Sequence, residues 1–267
     1  MVDFNQSPQY TLSIRVSADG FCFAVHHPSR KGEYAFMPYD VDPALPLTAN
    51  LKRACDELDL LQHTYGKVQL MLTDAAATLV PAECFNESSA RSLFVQNFPQ
   101  TTALQEVLSV SVAAGEHKLL FAVDRPLVRW ATQHFPGVAV THSLAPVVSW
   151  LLASEEKRRF LCNFHEKKAD VFFVDEGRLL FQNTFDVNST GDAVYYVLGV
   201  WNTLALSQES DVLTLAGRSA DNRALKAELG RFVARVEWME PASEFHATEL
   251  ARLSGLPLDL QTLVSLP

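Results

Sequence analysis

The stretch RRFLCNFHEKKADVFFVDEGRLLFQNTFDV, residues 158–187, decides the fold class of this chain. It contains three apolar runs separated by charged turn sequences, at 160–165, 170–174 and 178–185. Such runs predict three strands joined by tight turns. After them the sequence predicts a helix from Thr190, its cap, to about Leu206, and a strand over Val212–Ala216. Because that helix is apolar on all sides, we expect it to lie between the sheet and another layer.

The first part of the chain repeats this order of elements. Three strands are predicted at 10–17, 21–26 and 33–39. Asp19-Gly20 joins the first two as a hairpin turn, because both central residues of a type I′ turn need positive φ. A helix follows over Thr48–Tyr65 with Gly66 as its C-terminal cap, and a fourth strand covers Lys67–Thr73. The order strand, strand, strand, helix, strand therefore occurs twice.

Further elements lie between and after these two repeats. Strands are predicted at 79–85, 106–112, 118–123, 138–141 and 236–239. Helices are predicted at 86–98, 125–135, 143–152, 219–233 and 248–254. We predict a first lobe at 1–154 with an inserted subdomain at about 75–117, and a second lobe at 155–244. A C-terminal helix within 245–267 is expected to pack back on the first lobe.

The composition indicates a globular chain with an acidic surface. Its 267 residues are 48% hydrophobic and 20% charged, and the formal net charge is −9. This charge disfavours nucleic acid or an anionic membrane as the partner, because both attract basic patches. There is no stretch of about eighteen uncharged apolar residues, so no transmembrane helix is expected. The first ten residues lack the basic and apolar parts of a signal peptide, and we expect a cytoplasmic protein.

The cysteines and one histidine pair offer little support for a metal site. The four cysteines are widely spaced and form no CxxC pair: Cys22, Cys55, Cys84 and Cys162. We interpret them as reduced core residues. His26 and His27 are adjacent on a predicted strand and point to opposite faces, so they cannot easily share one ion. The sequence therefore predicts no metal site.

Two βββαβα units in one chain of this length resemble the actin-like ATPase superfamily, which is built from two ribonuclease-H-like lobes. The likeness is strongest for pilus-assembly and type II secretion members, in which a strand–helix–strand–helix run joins the lobes, as Lys118–Leu152 does here. It extends over nearly the whole chain and rests on element order and hydrophobic pattern. The resemblance implies an α/β fold with mixed sheets flanked by helices, in a bacterial family of unknown function.

Active members of that superfamily carry Asp-x-Gly at the first turn of each lobe, where the acid serves Mg²⁺ or the attacking water and the glycine admits phosphate. Here the corresponding positions read Arg15-Val16-Ser17 and Asn163-Phe164-His165. The serine or threonine expected next in the second lobe falls at Ala169 or Asp170, and the adenosine-binding turn keeps one glycine, Gly217. Without both acids a phosphoryl-transfer site loses its main electrostatic stabilisation, so nucleotide hydrolysis is disfavoured.

The resemblance implies vestigial cleft positions rather than a catalytic site. The candidates are Arg15, Ser17, Asn163, His165, Gly191 and Gly217. Arg15 could hold a phosphate directly, but an arginine on an alternating strand more often lies on the exposed face. His165 could act as a general base, although no Ser or Cys motif accompanies it. Gly191 precedes an acid at a helix start, where free amides could accept an anion or the acid could only complete the cap.

The leading hypothesis is a non-catalytic actin-like protein, a pseudo-ATPase that contacts a protein partner as an interaction or assembly component. It requires no cofactor, and ATP with Mg²⁺ is disfavoured. The alternative is a nucleotide-binding switch or a divergent ATP-dependent phosphotransferase that uses the cleft between the lobes. A ribonuclease-H-type nuclease is weaker, because the first strand of each lobe lacks the carboxylate it would need. The chain contains no GxSxG, P-loop, HExxH or intact GxGxxG pattern.

Overall fold

The structure is a computed structural model that describes residues 2–17, 20–30, 32–240, 244–245 and 255–265. Its contacts divide the chain into two compact units. Unit 1 comprises Met1–Val148 and Thr248–Pro267, and unit 2 comprises Ser149–Ala247. The chain therefore passes from unit 1 into unit 2 and returns to unit 1 at its C-terminal end.

Strands and helices are numbered in chain order. The strands of unit 1 are β1 (Thr11–Ser17), β2 (Gly20–His26), β3 (Tyr34–Asp40), β4 (Lys67–Leu72), β5 (Ala77–Pro81), β6 (Gln105–Val112), β7 (His117–Asp124) and β8 (Ala139–His142). Those of unit 2 are β9 (Arg159–His165), β10 (Lys168–Asp175), β11 (Arg178–Asp186), β12 (Val212–Gly217) and β13 (Arg235–Trp238). The helices are α1 (Leu47–Glu57), α2 (Ala90–Asn97), α3 (Arg125–His134), α4 (Leu144–Ala153), α5 (Thr190–Thr203), α6 (Asn222–Leu229) and α7 (Leu258–Ser265).

A five-stranded sheet in the order β3-β2-β1-β4-β8 forms the centre of unit 1. β1 is antiparallel to β2 and parallel to β4. This is the pairing of a βββαβ unit, in which a helix connects the three antiparallel strands to a fourth, parallel strand. Alternation along β1 buries Leu12 and Ile14 on one face of the sheet. The C-terminal helix α7 packs on the other face, where Leu260 joins Ala24 and Met71 in one cluster. This helix therefore completes the core of unit 1.

A second sheet of unit 1 has three antiparallel strands in the order β5-β7-β6. Helix α2 covers it, and the fully buried Phe94 packs with Leu120 and Ala122 of β7. β5 and β6 come from the segment at about 75–117 that the sequence assigns to an inserted subdomain, whereas β7 follows that segment. The small sheet thus has an apolar core of its own.

Unit 2 is built on a five-stranded sheet in the order β11-β10-β9-β12-β13. β9 is antiparallel to β10 and parallel to β12. Phe160, Cys162 and Phe164 extend from β9 into the core, where α5 contributes Val197 and Trp201. The same order of elements builds both five-stranded sheets, and the predicted fold class, α/β with mixed sheets flanked by helices, is confirmed.

Helix α1 is shorter than the sequence predicts. It ends at Glu57, and a 3₁₀ turn at Asp59–Leu61 replaces the expected further helical turns. Gly66 is therefore not the cap of this helix. A Cβ at Gly66 would collide with the carbonyl oxygen of Pro8, so this glycine lets two chain segments approach closely.

Helix α5 differs from its prediction in its cap and in its exposure. Ser189, not Thr190, is the N-cap residue, and its side chain accepts a hydrogen bond from the Asp192 amide. Tyr195 is 73% exposed, whereas Val197 is fully buried. α5 was expected to lie between the sheet and another layer, but the face that carries Tyr195 is open.

Several other boundaries move by a few residues, because local turn chemistry competes with the apolar pattern. β5 covers Ala77–Pro81 rather than 79–85, α2 begins at Ala90, and α6 covers Asn222–Leu229 rather than 219–233. Asp19 of the predicted hairpin turn and the predicted helix at 248–254 lie outside the described residues.

The four cysteines are free, but they do not share one environment. Cys55 and Cys162 are buried and Cys22 is half-buried, as expected of core residues. Cys84 is exposed, so its assignment to the core is wrong. Across the part of the chain that the structure describes, every helix is too short or too polar to span a bilayer.

Candidate functional site

Asn163 and Gly217 meet where β9 and β12 end side by side. Asn163 is buried and pairs with Ala216 of β12, and Gly217 pairs with Phe164. A Cβ at Gly217 would collide with the Phe164 carbonyl oxygen and would lie 2.8 Å from the Asn163 Oδ1 atom. Gly217 also has a φ of +77°, which favours glycine. This glycine is therefore needed for the contact between β9 and β12 themselves.

His165, at the end of β9, forms ion pairs with two carboxylates. Its Nε2 atom lies 2.7 Å from Asp170 Oδ2, and its Nδ1 atom lies 2.6 Å from Glu166 Oε2. The other Asp170 oxygen, Oδ1, accepts a hydrogen bond of 2.7 Å from the Thr184 hydroxyl. The side chains of His165 and Asp170 are only 9% and 5% exposed. We call these four residues, His165, Glu166, Asp170 and Thr184, the His165 cluster.

The charge state of the His165 cluster follows from its geometry. Burial by itself disfavours the charged imidazolium, but the Asp170 carboxylate and then the Glu166 carboxylate outweigh it and raise the pKa of His165 to about 10. The ring is therefore protonated at neutral pH and donates from both nitrogens. A doubly protonated ring has no lone pair with which to accept a proton, so this geometry does not suit a general base.

The two carboxylates of this cluster were not among the candidate residues. A signal for Asp170 exists in the sequence, because a two-residue turn at Glu166-Lys167 places Asp170 opposite Asn163 in the hairpin. Directly opposed residues of an antiparallel pair share a face. An acid therefore does stand near the expected first-turn position, but on the neighbouring strand and already paired with His165.

Arg15 is placed differently from its prediction. Its side chain is 3% exposed, and its Nε atom lies 2.8 Å from Asp259 Oδ2 on α7. The exposed-face assignment is wrong, because α7 covers this face of the sheet. Ser17, two residues further on, donates from its hydroxyl to the Gly20 carbonyl oxygen at 3.0 Å. Both side chains thus bind protein groups within unit 1.

Gly191 lies in the first turn of α5, beside a capped helix start. The Asp192 amide donates to Ser189 Oγ at 3.1 Å, as in a capping box, and the Asn188 amide donates to Asp192 Oδ2 at 3.0 Å. Asp192 therefore completes the cap with protein groups. Among the described residues, no three His, Cys, Asp or Glu side chains gather as a ligand set for a metal ion.

A groove of about 500 Å³ on unit 1 is the second feature of interest. Its lining contains three cations and no carboxylate: Thr48, Lys52, Ala103, Leu104, Arg125, Pro126, Arg129, Trp130 and Gln133. Lys52 comes from α1, Arg125 and Arg129 from α3, and Leu104 from the loop before β6. Leu104 is 74% exposed although it is apolar. We call this feature the α1–α3 groove.

Comparison with known proteins identifies the family. Residues 1–236 match the family described as "Protein of unknown function (DUF3822)". A solved structure from Bacteroides thetaiotaomicron, a protein with actin-like ATPase fold and unknown function, is 28% identical over 100% of both chains, with a TM-score of 0.87. A chain of the PilM–PilN type IV pilus biogenesis complex is 14% identical, with a TM-score of 0.53 over 96% of this chain and 99% of that chain.

No curated protein matches the sequence. The family match nevertheless covers most of the 267 residues. The solved structures match over nearly the whole length, and they agree with the resemblance inferred from element order. The chain therefore belongs to DUF3822, a family of proteins of unknown function, and has the actin-like ATPase fold.

Proposed function

We propose that this chain is a non-catalytic actin-like protein that acts by binding a protein partner. One observation carries the non-catalytic part: His165 pairs with both nearby acids, Asp170 and Glu166. Phosphoryl transfer on this fold needs carboxylates that are free to hold Mg²⁺ or to orient water. Both oxygens of Asp170 are already bound, one by His165 and one by Thr184. Recruiting Asp170 to a metal would leave a buried imidazolium with one partner fewer, which is costly.

The other candidate phosphate-binding groups support the same proposal. Arg15 is bound to Asp259, so its guanidinium has a partner inside the fold. The space beside Gly217 is filled by the Phe164 carbonyl and the Asn163 side chain. These groups therefore serve packing, and we propose that the chain takes no ATP and no Mg²⁺.

The α1–α3 groove is the surface we propose for the partner. Lys52, Arg125 and Arg129 are exposed, and no carboxylate of the described residues pairs with them. Leu104 and Trp130 add apolar surface between these charges. This chemistry fits a segment that carries acidic side chains and at least one large apolar side chain. The PilM–PilN type IV pilus biogenesis complex is an example of a chain with a similar fold that has a protein partner.

Nucleotide binding and hydrolysis test the non-catalytic part. We expect the purified chain to show no ATP hydrolysis above background with Mg²⁺, and no thermal shift with millimolar ATP, ADP or GTP. The matched variant is Asp170→Asn, which removes the acid nearest to the expected catalytic position. Hydrolysis that Asp170→Asn abolishes would contradict the proposal. A nucleotide-dependent thermal shift without hydrolysis would favour a nucleotide-binding switch instead.

Charge reversal tests the docking part. The probe is a short synthetic peptide of glutamates interspersed with leucines, measured by fluorescence anisotropy at low salt. We expect Arg125→Glu/Arg129→Glu to weaken binding to the α1–α3 groove by about tenfold, because opposed charges become like charges. The control, Lys167→Glu/Arg178→Glu, makes the same change of net charge on exposed residues away from any groove described above. If both double variants weakened peptide binding equally, the effect would come from the overall charge of the chain. The α1–α3 groove would then not be the binding site.

A further inference from the structure

Unit 2 has a groove of about 710 Å³ between α6 and β13. It is lined by Asn222, Arg223, Lys226, Ala227, Gly230, Arg231 and Trp238. Three of these residues are cations and none is acidic, although the chain as a whole carries a net charge of −9. We call this feature the α6–β13 groove. Its chemistry repeats that of the α1–α3 groove: three cations beside a tryptophan, without a carboxylate.

Helical spacing explains how the cations reach one face. Arg223 and Lys226 are three residues apart on α6, and Ala227 lies four residues after Arg223, so all three share a side of the helix. Leu225 and Leu229 lie on the opposite side and are fully buried in the core of unit 2. The charged face is therefore fixed by the packing of the apolar face.

The cations of the groove are available for a ligand. Arg223 and Lys226 are exposed, and no carboxylate of the described residues pairs with them. Arg231 lies 2.9 Å from Glu228, but the two side chains are 69% and 47% exposed. Ion pairs this exposed are weak, so a partner carboxylate can compete for Arg231.

The floor of the groove is apolar. Trp238 is half-buried at the end of β13 and packs against the core of unit 2. Ala227 and Gly230 keep the space beside the indole open, because neither has a long side chain. A half-buried tryptophan ringed by cations is typical of a surface that binds an apolar side chain flanked by acids.

We propose that the α6–β13 groove is a second docking site for an acidic segment of a protein partner. This inference rests on the proposed function as a protein-interaction component, and it makes the chain a two-site adaptor. The cations extend from Arg223 in the first turn of α6 to Arg231, two residues beyond the end of this helix, and this spacing suits several separate carboxylates better than a single small anion. Nucleic acid is disfavoured because it carries a charge on every nucleotide, so the acidic chain around the groove repels it more strongly than a short segment with a few carboxylates.

Isothermal titration at low salt with the glutamate–leucine peptide gives the number of sites. We expect two peptides per chain, falling to one in Arg223→Glu/Lys226→Glu, with the remaining site unchanged. Arg125→Glu/Arg129→Glu should instead leave one tight site, in the α6–β13 groove, with binding to the α1–α3 groove about tenfold weaker, and the variant with all four substitutions should show no tight site. The counterpart peptide with glutamine for glutamate should bind at least about tenfold more weakly. The control Lys167→Glu/Arg178→Glu should keep both sites.

The outcomes separate this inference from the proposed function. One bound peptide, lost in Arg125→Glu/Arg129→Glu and kept in Arg223→Glu/Lys226→Glu, would overturn the second site and leave the first in place. ATP hydrolysis that Asp170→Asn abolishes would overturn the non-catalytic proposal without changing the peptide count. If the number of sites depended on protein concentration, the occupant would be a second copy of this chain, and the proposal of a separate partner would be wrong.

Photo-crosslinking shows where on the chain the peptide binds, which a titration does not. A peptide with a photoreactive group in place of one leucine should label residues of α6 and β13, and mass spectrometry locates the label. We expect the label near Trp238 in the wild-type chain and its loss in Arg223→Glu/Lys226→Glu. Because these side chains are exposed, the variants should keep the wild-type circular dichroism and melting curve. Labelling that is confined to unit 1 would refute the second site.

Discussion

Arg15 on β1 and Asp259 on α7 are 244 positions apart in the sequence, and their side chains form a buried ion pair of 2.8 Å. Both side chains are nearly inaccessible, at 3% and 5% exposure. The pair joins the last described helix to the first strand, beside the cluster that Leu260 forms with Ala24 and Met71. The C-terminal helix is therefore held by charge as well as by apolar packing.

Breaking this pair should destabilise the protein strongly. We expect Asp259→Asn to lower the free energy of unfolding by about 3–5 kcal/mol, because the buried guanidinium loses the charge of the Asp259 carboxylate. The double variant Arg15→Met/Asp259→Leu should recover most of that loss, since it leaves no buried charge. Urea denaturation measures both variants. The control is Glu57→Gln, whose partner Arg53 is 37% exposed, and it should change stability by less than about 1 kcal/mol.

The His165 cluster should make stability depend on pH on the alkaline side. Since the pKa of His165 is raised from 6.5 to about 10 in the folded chain, its stabilisation is complete below pH 6.5 and is lost as the pH rises to about 10. His165→Asn should lower stability at pH 7 by a few kcal/mol and flatten the decline between pH 7 and 10. Urea denaturation across this range checks it.

A matched histidine shows whether that slope belongs to the cluster. His63 lies 3.3 Å from Asp59, but the two side chains are 30% and 85% exposed. We expect His63→Asn to change stability by less than about 1 kcal/mol and to keep the wild-type slope. If the pH curves of wild type and His165→Asn ran parallel, the imidazolium would not be the source of the pH dependence.

Two glycines should respond to alanine with opposite signs. Gly217→Ala should destabilise by about 2–4 kcal/mol, because its Cβ would collide with the Phe164 carbonyl and its φ is +77°. Gly199→Ala is the control, since a Cβ on this exposed residue of α5 meets no atom within 4 Å. It should stabilise by up to about 1 kcal/mol through helix propensity. Thermal and urea denaturation compare the two, and similar effects at both sites would contradict the close contact at Gly217.

Arg159 at the start of β9 should be more important than its surface neighbours. Its guanidinium binds both Glu244 oxygens, at 2.6 and 3.2 Å, and lies 5.2 Å from the centre of the Trp150 ring. Glu244→Gln should cost about 1–3 kcal/mol, because Arg159 is 8% exposed and Glu244 only 23%. Glu228→Gln, in an exposed pair with Arg231, should cost less than about 1 kcal/mol in the same urea experiment. Equal losses of stability in Glu244→Gln and Glu228→Gln would argue against a special role for Arg159.

The sequence was most informative where one apolar run covers a whole strand. The runs at 160–165 and 170–174 correspond to β9 and β10, because strands that are buried on both faces have nearly continuous apolar sequences. Element ends were less predictable. Ser189 caps α5 in place of Thr190, because serine and threonine both suit an N-cap position. α1 ends at Glu57, well before the predicted end of this helix.

The site residues also divide into features that the sequence reveals and features that only the structure reveals. The lack of an acid and a glycine at Asn163 and His165 is visible in the sequence alone. The pairing of His165 with Asp170 follows from the register of a short hairpin, so it is recoverable from the turn length. The burial of Arg15 is not recoverable in this way, because its partner is distant in sequence and no local pattern marks it.

The sequence by itself determined the order of strands and helices, the α/β class and the residues at the two first-turn positions, because these depend on local period and identity. Tertiary structure alone decided that α7 covers β1, that Gly217 fits against Phe164, and that Trp238 of β13 lies beside the cations of α6. Such contacts join segments far apart in the chain. They form only when the whole fold buries its apolar surface, and no local period encodes them.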